Sequence, residues 1–187
     1  METSSDTDLL LATRLGDEHA ARELYARLAP RLLAAMKALQ RDAHRAEDAV
    51  HSAFLGLLKL DTDQAAAIRD PLAWLVRAAR NAALNELRGR DRAKAREHAS
   101  ARPGCVESPE RTGAAGASGG FDDLLSALSK LADDDRELLI LKHIAGLTLD
   151  QLAFALDVNR NTLASRLRAA LDRLHALVST QEVAHVR

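Results

Sequence analysis

The chain has 187 residues, enough for one ordinary domain or two small ones, and 47% of them are hydrophobic but only 3% aromatic. That balance, rich in Ala and Leu, favours helices over strands built from β-branched and aromatic residues, so the expected fold class is all-α. A net charge of −1 excludes a uniformly basic nucleic-acid binder, the single Cys105 excludes a disulfide framework or cysteine metal site, and no apolar run reaches the roughly 18 residues that span a bilayer.

The first helical pattern is placed from Asp8, as N-cap, to Gly16. A second begins near Asp17 and carries Leu24, Leu28, Leu32, Met36 and Leu39 along one stripe, with Pro30 inside it expected to bend or split the helix. The third, DAHRAEDAVHSAFLGLLKL, repeats Ala46, Ala49, Val50, Ala53, Phe54, Leu57 and Leu58 at core-facing helical spacing and turns Glu47, Asp48, His51 and Leu55 outward. After a polar loop over 60–69, Asp70 and Pro71 read as N-cap and first residue of a fourth helix, PLAWLVRAARNAALNELRGR.

The −1 charge is unevenly spread: residues 77–102 hold eight Lys/Arg against three acids. Residues 93–120 are rich in Ala, Gly, Ser and Pro without apolar periodicity and are expected to be a flexible linker between a first domain, 1–92, and a second, 121–187. Such a linker has a typical span near ~30 Å and a limit of roughly 90 Å. In the second domain, FDDLLSALSKL and DDDRELLILKHIAG are two expected helices, the latter stopped by Gly146. Asp133, Asp134 and Asp135 diverge in direction and suit a helix start better than a metal.

Thr148 and Gln151 form a capping-box pattern, followed by a stripe of Leu149, Leu152, Ala153 and Leu156. A short turn, DVNR, follows, with Val158 plugging the angle and Asn159 or Asn161 capping the next helix. There Leu163, Leu167, Ala170, Leu171 and Leu174 face inward, while Arg160, Asn161, Thr162, Ala164, Ser165 and Arg168 are candidates for the outward side. Two helices on a tight turn match a helix-turn-helix, whose second helix enters the major groove; Arg suits guanine, Asn adenine, and Ser a phosphate or base edge. On the fourth helix Trp74, Arg77, Arg80, Asn81, Asn85 and Arg88 combine cations, an aromatic ring and amides, the groups that hold unstacked bases and phosphates. Each feature alone also suits a solvated helix face or, for Trp74, the core.

Taken together these residues resemble the extracytoplasmic-function (ECF) sigma factors, the small two-domain branch of the bacterial sigma-70 superfamily. AEDAVHSAFLGLL is similar to the family's polymerase-clamp docking segment, DPLAWLVRAARNAALNELR to its minus-ten helix, and RELLILKHIAGLTLDQLA with the following V-x-x-x-T-L-x-S-R-L to its minus-thirty-five domain. The resemblance implies a promoter-specificity subunit of RNA polymerase. Glu47, Asp48, His51 and Leu55 would dock on the clamp coiled coil, with a further contact to the flap. Residues 61–69 would surround a flipped promoter base near Asn81. Double- and single-stranded promoter DNA and an anti-sigma factor are the other implied partners, with no cofactor, no metal and no membrane insertion. Elements some 17 steps apart lie roughly 60 Å from one another, within the linker's reach only when it is extended.

Several positions depart from the family pattern. His51 stands where glutamine is usual. Ala132 replaces a common proline; Asn161, Ala164 and Ala170 stand where glycine, lysine and arginine are common, and Asn85 where aspartate is. Two missing cations would flatten the salt dependence by up to about two charges. The alternatives are a stand-alone helix-turn-helix regulator and a helical adaptor or sigma decoy. An enzyme is not expected, because the sequence carries no phosphate-binding glycine loop, nucleophile motif or His-x-x-x-His pair, and the histidines are scattered at 19, 44, 51, 98, 143, 175 and 185. With no basic region ahead of the short N-terminal apolar run, a cytoplasmic location is expected.

Overall fold

The structure, a computed structural model, describes residues 4–40, 42–100 and 127–185. Among them there is no strand, in line with the expected all-α class. The first helix, α1 (Asp6–Arg14), starts earlier than expected. Ser5 is its cap: the Ser5 hydroxyl accepts from the Asp8 amide at 3.1 Å while the Asp8 carboxylate accepts from the Ser5 amide at 3.1 Å. Asp8 is therefore the return half of a capping box, a pairing that satisfies two orphan amides at once.

Asp17 caps α2 (Glu18–Leu39), which buries Leu24, Leu28, Leu32 and Met36. The helix runs through Pro30 unbroken; Pro30 is exposed, and so is Ala26, whose carbonyl loses its partner but can meet water. Asp42 caps α3 (Ala43–Lys59), which buries Ala46, Ala49, Val50, Ala53, Phe54 and Leu57. Leu58, expected in that core, is 47% exposed. At about 100° per residue it falls on the stripe of His51 and Leu55 instead.

The expected polar loop over 60–69 contains a short helix, α4 (Thr62–Ala66), because Asp61 and Gln64 form a second capping box. The Asp70 carboxylate accepts from the Ala73 amide at 2.9 Å, starting α5 (Pro71–Ser100) where the sequence placed it. That helix continues past Ala93, the expected linker boundary, to Ser100. Residues 93–99, AKAREHA, are mostly good helix formers, and no Pro intervenes before Pro103. The remaining linker, with Cys105, and residues 121–126 lie outside the described residues.

Residues 127–130 are helical, followed by α6 (Asp133–His143), α7 (Leu149–Leu156) and α8 (Arg160–His185). The three aspartates occupy the first turn of α6, where the helix dipole favours them, and two are ion-paired: Asp133 with Arg136 at 2.7 Å and Asp135 with Arg173 at 2.5 Å. Gly146 ends the segment after α6 with φ +69°, a backbone conformation open to glycine at little cost.

Buried residues of the two halves pack in one cluster. Leu28, Leu32, Leu57, Leu72 and Leu75 from the first half pack in the same cluster as Leu138, Leu141, Leu147, Leu152 and Leu163 from the second. Each fully buried leucine is worth about 1.5–3 kcal/mol relative to exposure. A smaller cluster of Leu131, Leu139 and Ala170 ties α6 to α8.

Candidate nucleic-acid interface

The helix-turn-helix forms from local chemistry. Thr148 and Gln151 cap α7 reciprocally, and Asp157 closes it in the left-handed conformation at φ +57°. The Asn159 side chain accepts from the Asn161 amide at 2.9 Å, so Asn159 rather than Asn161 caps α8. Val158 is half-buried in the corner. Leu163 and Ala170 turn inward, whereas Arg160, Asn161, Thr162, Ser165 and Arg168 are exposed and Ala164 is half-buried among them. Leu171, expected inside, is 40% exposed, since the first-half core ends beside the earlier turns of α8.

Arg160 reaches back to Asp150 on α7 at 2.8 Å. Both side chains are largely exposed, so the pair is worth no more than about 1 kcal/mol and leaves Arg160 available to a stronger anion. No ion pair with another described residue engages Arg168. This side of α8 is thus a cationic and hydrogen-bonding ridge on a rigid helix, sized for a groove.

On α5 the structure divides the six candidate residues. Trp74, Arg77, Asn81, Asn85 and Arg88 follow i, i+3, i+4 spacing along one stripe. Arg80 lies roughly 100° round the helix from Asn81 and faces α6. There its guanidinium grips Glu137 as a fork, Nε donating to Oε1 at 2.7 Å and Nη2 to Oε2 at 3.2 Å. Asn81, Asn85 and Arg88 are exposed. Arg77 lies over the Phe154 ring of α7, 5.2 Å from its centroid.

Trp74 is half-buried: its ring rests against Gly56 of α3 and its edge lines a cavity of about 970 Å³. Leu60, Gln64, Ile68, Arg69 and Asp70 line the same cavity, as do Thr148, Asp150, Gln151 and Phe154 of the second half. Trp74 thus packs partly in the core and partly against this cavity.

The third surface is on α3. Glu47, Asp48, His51 and Leu55 are all exposed on a single stripe. A hydrogen bond from Lys37, at 2.8 Å, and its charge hold the Glu47 carboxyl below its ordinary value, with His44 adding a smaller pull. The structure adds two residues that sequence reasoning missed here, Leu58 and Tyr25. They border a small apolar groove with His51 and Leu55, and Tyr25 packs against Phe54 at 4.8 Å between ring centroids. Leu58 had a signal, its spacing of three from Leu55; Tyr25 comes from another helix and had none. Among the described residues no group of three His, Cys, Asp or Glu is placed to hold a metal ion, and no helix is long and apolar enough to cross a membrane.

Comparison with known proteins bears on all three surfaces. Residues 24–93 match the model of Sigma-70 region 2, and residues 121–174 match Sigma-70, region 4. The first match contains the α3 face and the α5 stripe; the second contains the helix-turn-helix. The ECF RNA polymerase sigma factor SigK of Mycobacterium ulcerans is 27% identical over 167 residues, covering 87% of this chain and 88% of that protein. Two solved structures share the fold. CnrH in complex with the cytosolic domain of CnrY has a TM-score of 0.63 at 22% identity, covering 95% of this chain and 99% of that one. The sigma factor RpoE in complex with the anti-sigma factor NepR from Bartonella quintana has a TM-score of 0.63 at 24% identity, covering 85% and 96%. With both regions present in order on the expected helices, the chain belongs to the sigma-70 family of RNA polymerase sigma factors, in its ECF branch.

Proposed function

We propose that this sigma factor directs promoter-specific initiation by holding two separated DNA elements on two different helices while a third surface grips polymerase. α8 reads the minus-thirty-five element from the major groove through Arg160, Asn161, Thr162, Ser165 and Arg168, with Ala164 at the closest approach. The α5 stripe of Trp74, Arg77, Asn81, Asn85 and Arg88 follows the melted minus-ten strand, and Arg80 adds charge from its flank. The 61–69 segment and Trp74 receive an unstacked base in the cavity between them.

Glu47, Asp48, His51 and Leu55 dock on the clamp coiled coil, and the helix-turn-helix unit meets the flap. Opening a duplex requires binding energy and no covalent step, so the chain works without catalysis, metal or cofactor of its own, in the cytoplasm where polymerase and promoters meet. An anti-sigma partner fits the same reading, because RpoE of the shared fold was solved with one.

The single observation behind this reading is the α5 stripe: exposed Asn81, Asn85 and Arg88 continue a line that starts at Trp74 beside a cavity. A stand-alone helix-turn-helix regulator has no use for it. Transcription in vitro with purified core polymerase across a promoter library tests the proposal. Selective initiation from templates sharing two spaced elements is expected; DNA binding without polymerase-dependent selectivity would favour the stand-alone regulator.

A further inference from the structure

A helix leaves its last carbonyls without amide partners, and in α3 one of these, that of Leu58, is held by a side chain 44 positions earlier. Arg14, the last residue of α1, donates to it from Nη1 at 2.5 Å. The macrodipole favours a cation at that end of a helix, in addition to the hydrogen bond. The Arg14 Nε is buried and meets no acceptor among the described residues, so the guanidinium is placed for the Leu58 carbonyl.

The Leu58 side chain is 47% exposed and borders the groove that it shares with Tyr25, His51 and Leu55, with Phe54 beneath. α1 supplies part of the wall. Thr13, the residue before Arg14, lines the same groove and donates its hydroxyl to the Leu9 carbonyl at 2.7 Å. The space is about 160 Å³, room for one benzene-sized side chain. Asp48, one turn back along α3 from His51, is exposed, so a seat for an apolar side chain adjoins one for a cation. α1 itself lies ahead of residues 24–93, the part that matches Sigma-70 region 2.

We propose that α1 completes the polymerase-docking site: Thr13 walls a socket for one apolar side chain of core polymerase, and Arg14 is a positioning residue that fixes the socket's rim through the Leu58 carbonyl. The inference rests on the assignment of the α3 face to polymerase docking. Continuity with that face carries it, because the groove runs from His51 and Leu55 to α1 without a break. A socket this small contributes to binding only while its walls stay close enough to exclude water. One of those walls is weak by position, since α3 ends at Lys59, one residue past Leu58. A helix end frays unless its carbonyls are held. With Arg14 in place Leu58 keeps its helical direction; without it the last turn of α3 loosens and the socket loses a side.

Full-length variants compete with a fluorescently labelled native chain for purified core polymerase. Arg14→Met, which keeps the stem and removes the donor, is expected to lower affinity for core on the order of tenfold; Arg14→Lys, which keeps a donor and the charge, should recover most of it. A double-mutant cycle with Leu58→Ala separates positioning from a merely structural role. If Arg14 acts by placing Leu58, Arg14→Met costs little further affinity once that side chain is gone, whereas a general loss of stability gives effects that add. Thr13→Phe, which fills the socket, should lower core affinity by about tenfold with an unchanged circular dichroism spectrum. If Arg14→Met has lost helix by circular dichroism, Thr13→Phe decides alone. No loss from Arg14→Met, full additivity in the cycle, or core affinity unaltered by Thr13→Phe overturns the inference. Leu55→Asp tells this failure from that of the docking assignment: it still weakens core binding if only the role of α1 is wrong, and leaves core binding intact if the α3 face is not the docking surface.

Discussion

The Arg80 guanidinium and the Glu137 carboxylate meet in a two-bond fork, at 2.7 and 3.2 Å, across 57 positions of sequence. Their side chains are 30% and 19% exposed, so the pair is more shielded than the Arg22–Glu18 pair on the surface of α2. Removing the carboxylate leaves a partly desolvated cation without a partner. Glu137→Ala is expected to lower stability by about 1–2 kcal/mol, and Glu18→Ala by less than about 0.5. Urea midpoints at unchanged slope measure both.

Gly146 and Gly89 should respond to alanine in opposite directions. At Gly146, φ is +69° and an added Cβ would lie 2.9 Å from Arg31 Nη2, so Gly146→Ala strains the backbone and displaces an arginine that joins the two halves. A loss of roughly 1–2 kcal/mol is expected. Gly89 lies within α5 with open space where a Cβ would go, and Gly89→Ala should add about 0.5–1 kcal/mol. Thermal unfolding of the two variants gives the comparison.

Arg168→Glu is expected to remove upstream-element recognition while leaving the fold intact, because the side chain is exposed and pairs with no described residue. Promoter binding by the polymerase complex should weaken by about 1–3 kcal/mol, and its dependence on salt should shallow by roughly one charge. Arg160→Glu should act similarly and also set a carboxylate against Asp150. Filter binding at several salt concentrations, with intact and scrambled upstream elements, is the measurement.

Leu55 and Leu58 are 42% and 47% exposed on the face that continues from His51. If this is the polymerase-docking surface, Leu55→Asp and Leu58→Asp should each weaken binding to core polymerase on the order of tenfold or more, with little change in thermal stability. Equal binding by both variants would move the docking surface elsewhere. Competition for core against a labelled sigma factor reads the effect.

Glu47 should titrate below an ordinary glutamate because it accepts a hydrogen bond from Lys37. A depressed folded-state value means that the contribution to stability is complete above the ordinary carboxyl value of 4.5 and is lost as pH falls below it. Lys37→Met should return the Glu47 midpoint toward that ordinary value. Carbon-detected NMR titration of the side-chain carboxyl follows it directly, and an unchanged midpoint would show that Lys37 is not the cause.

Much of this molecule was legible in its residues because helices are decided over a few positions. Apolar spacing and the caps at Asp70 and Thr148 located their helices, and the exposed ridge of α8 followed from the period of Leu163 and Ala170. Errors arose where a local choice had two solutions. Ser5 and Asp8 share one capping box, so either can be mistaken for the cap; Leu58 fits the end of a core stripe or the line of Leu55.

What the chain could not announce locally is how its halves meet. Arg31 finds the carbonyls of Ala145 and Gly146, Arg80 finds Glu137 and Gln151 finds Asp70 only because a shared apolar core brings distant helices within a few ångströms. Periodicity shows that a side chain faces inward or outward. Which partner it meets depends on the packing of many apolar side chains at once, and only the tertiary structure decided that.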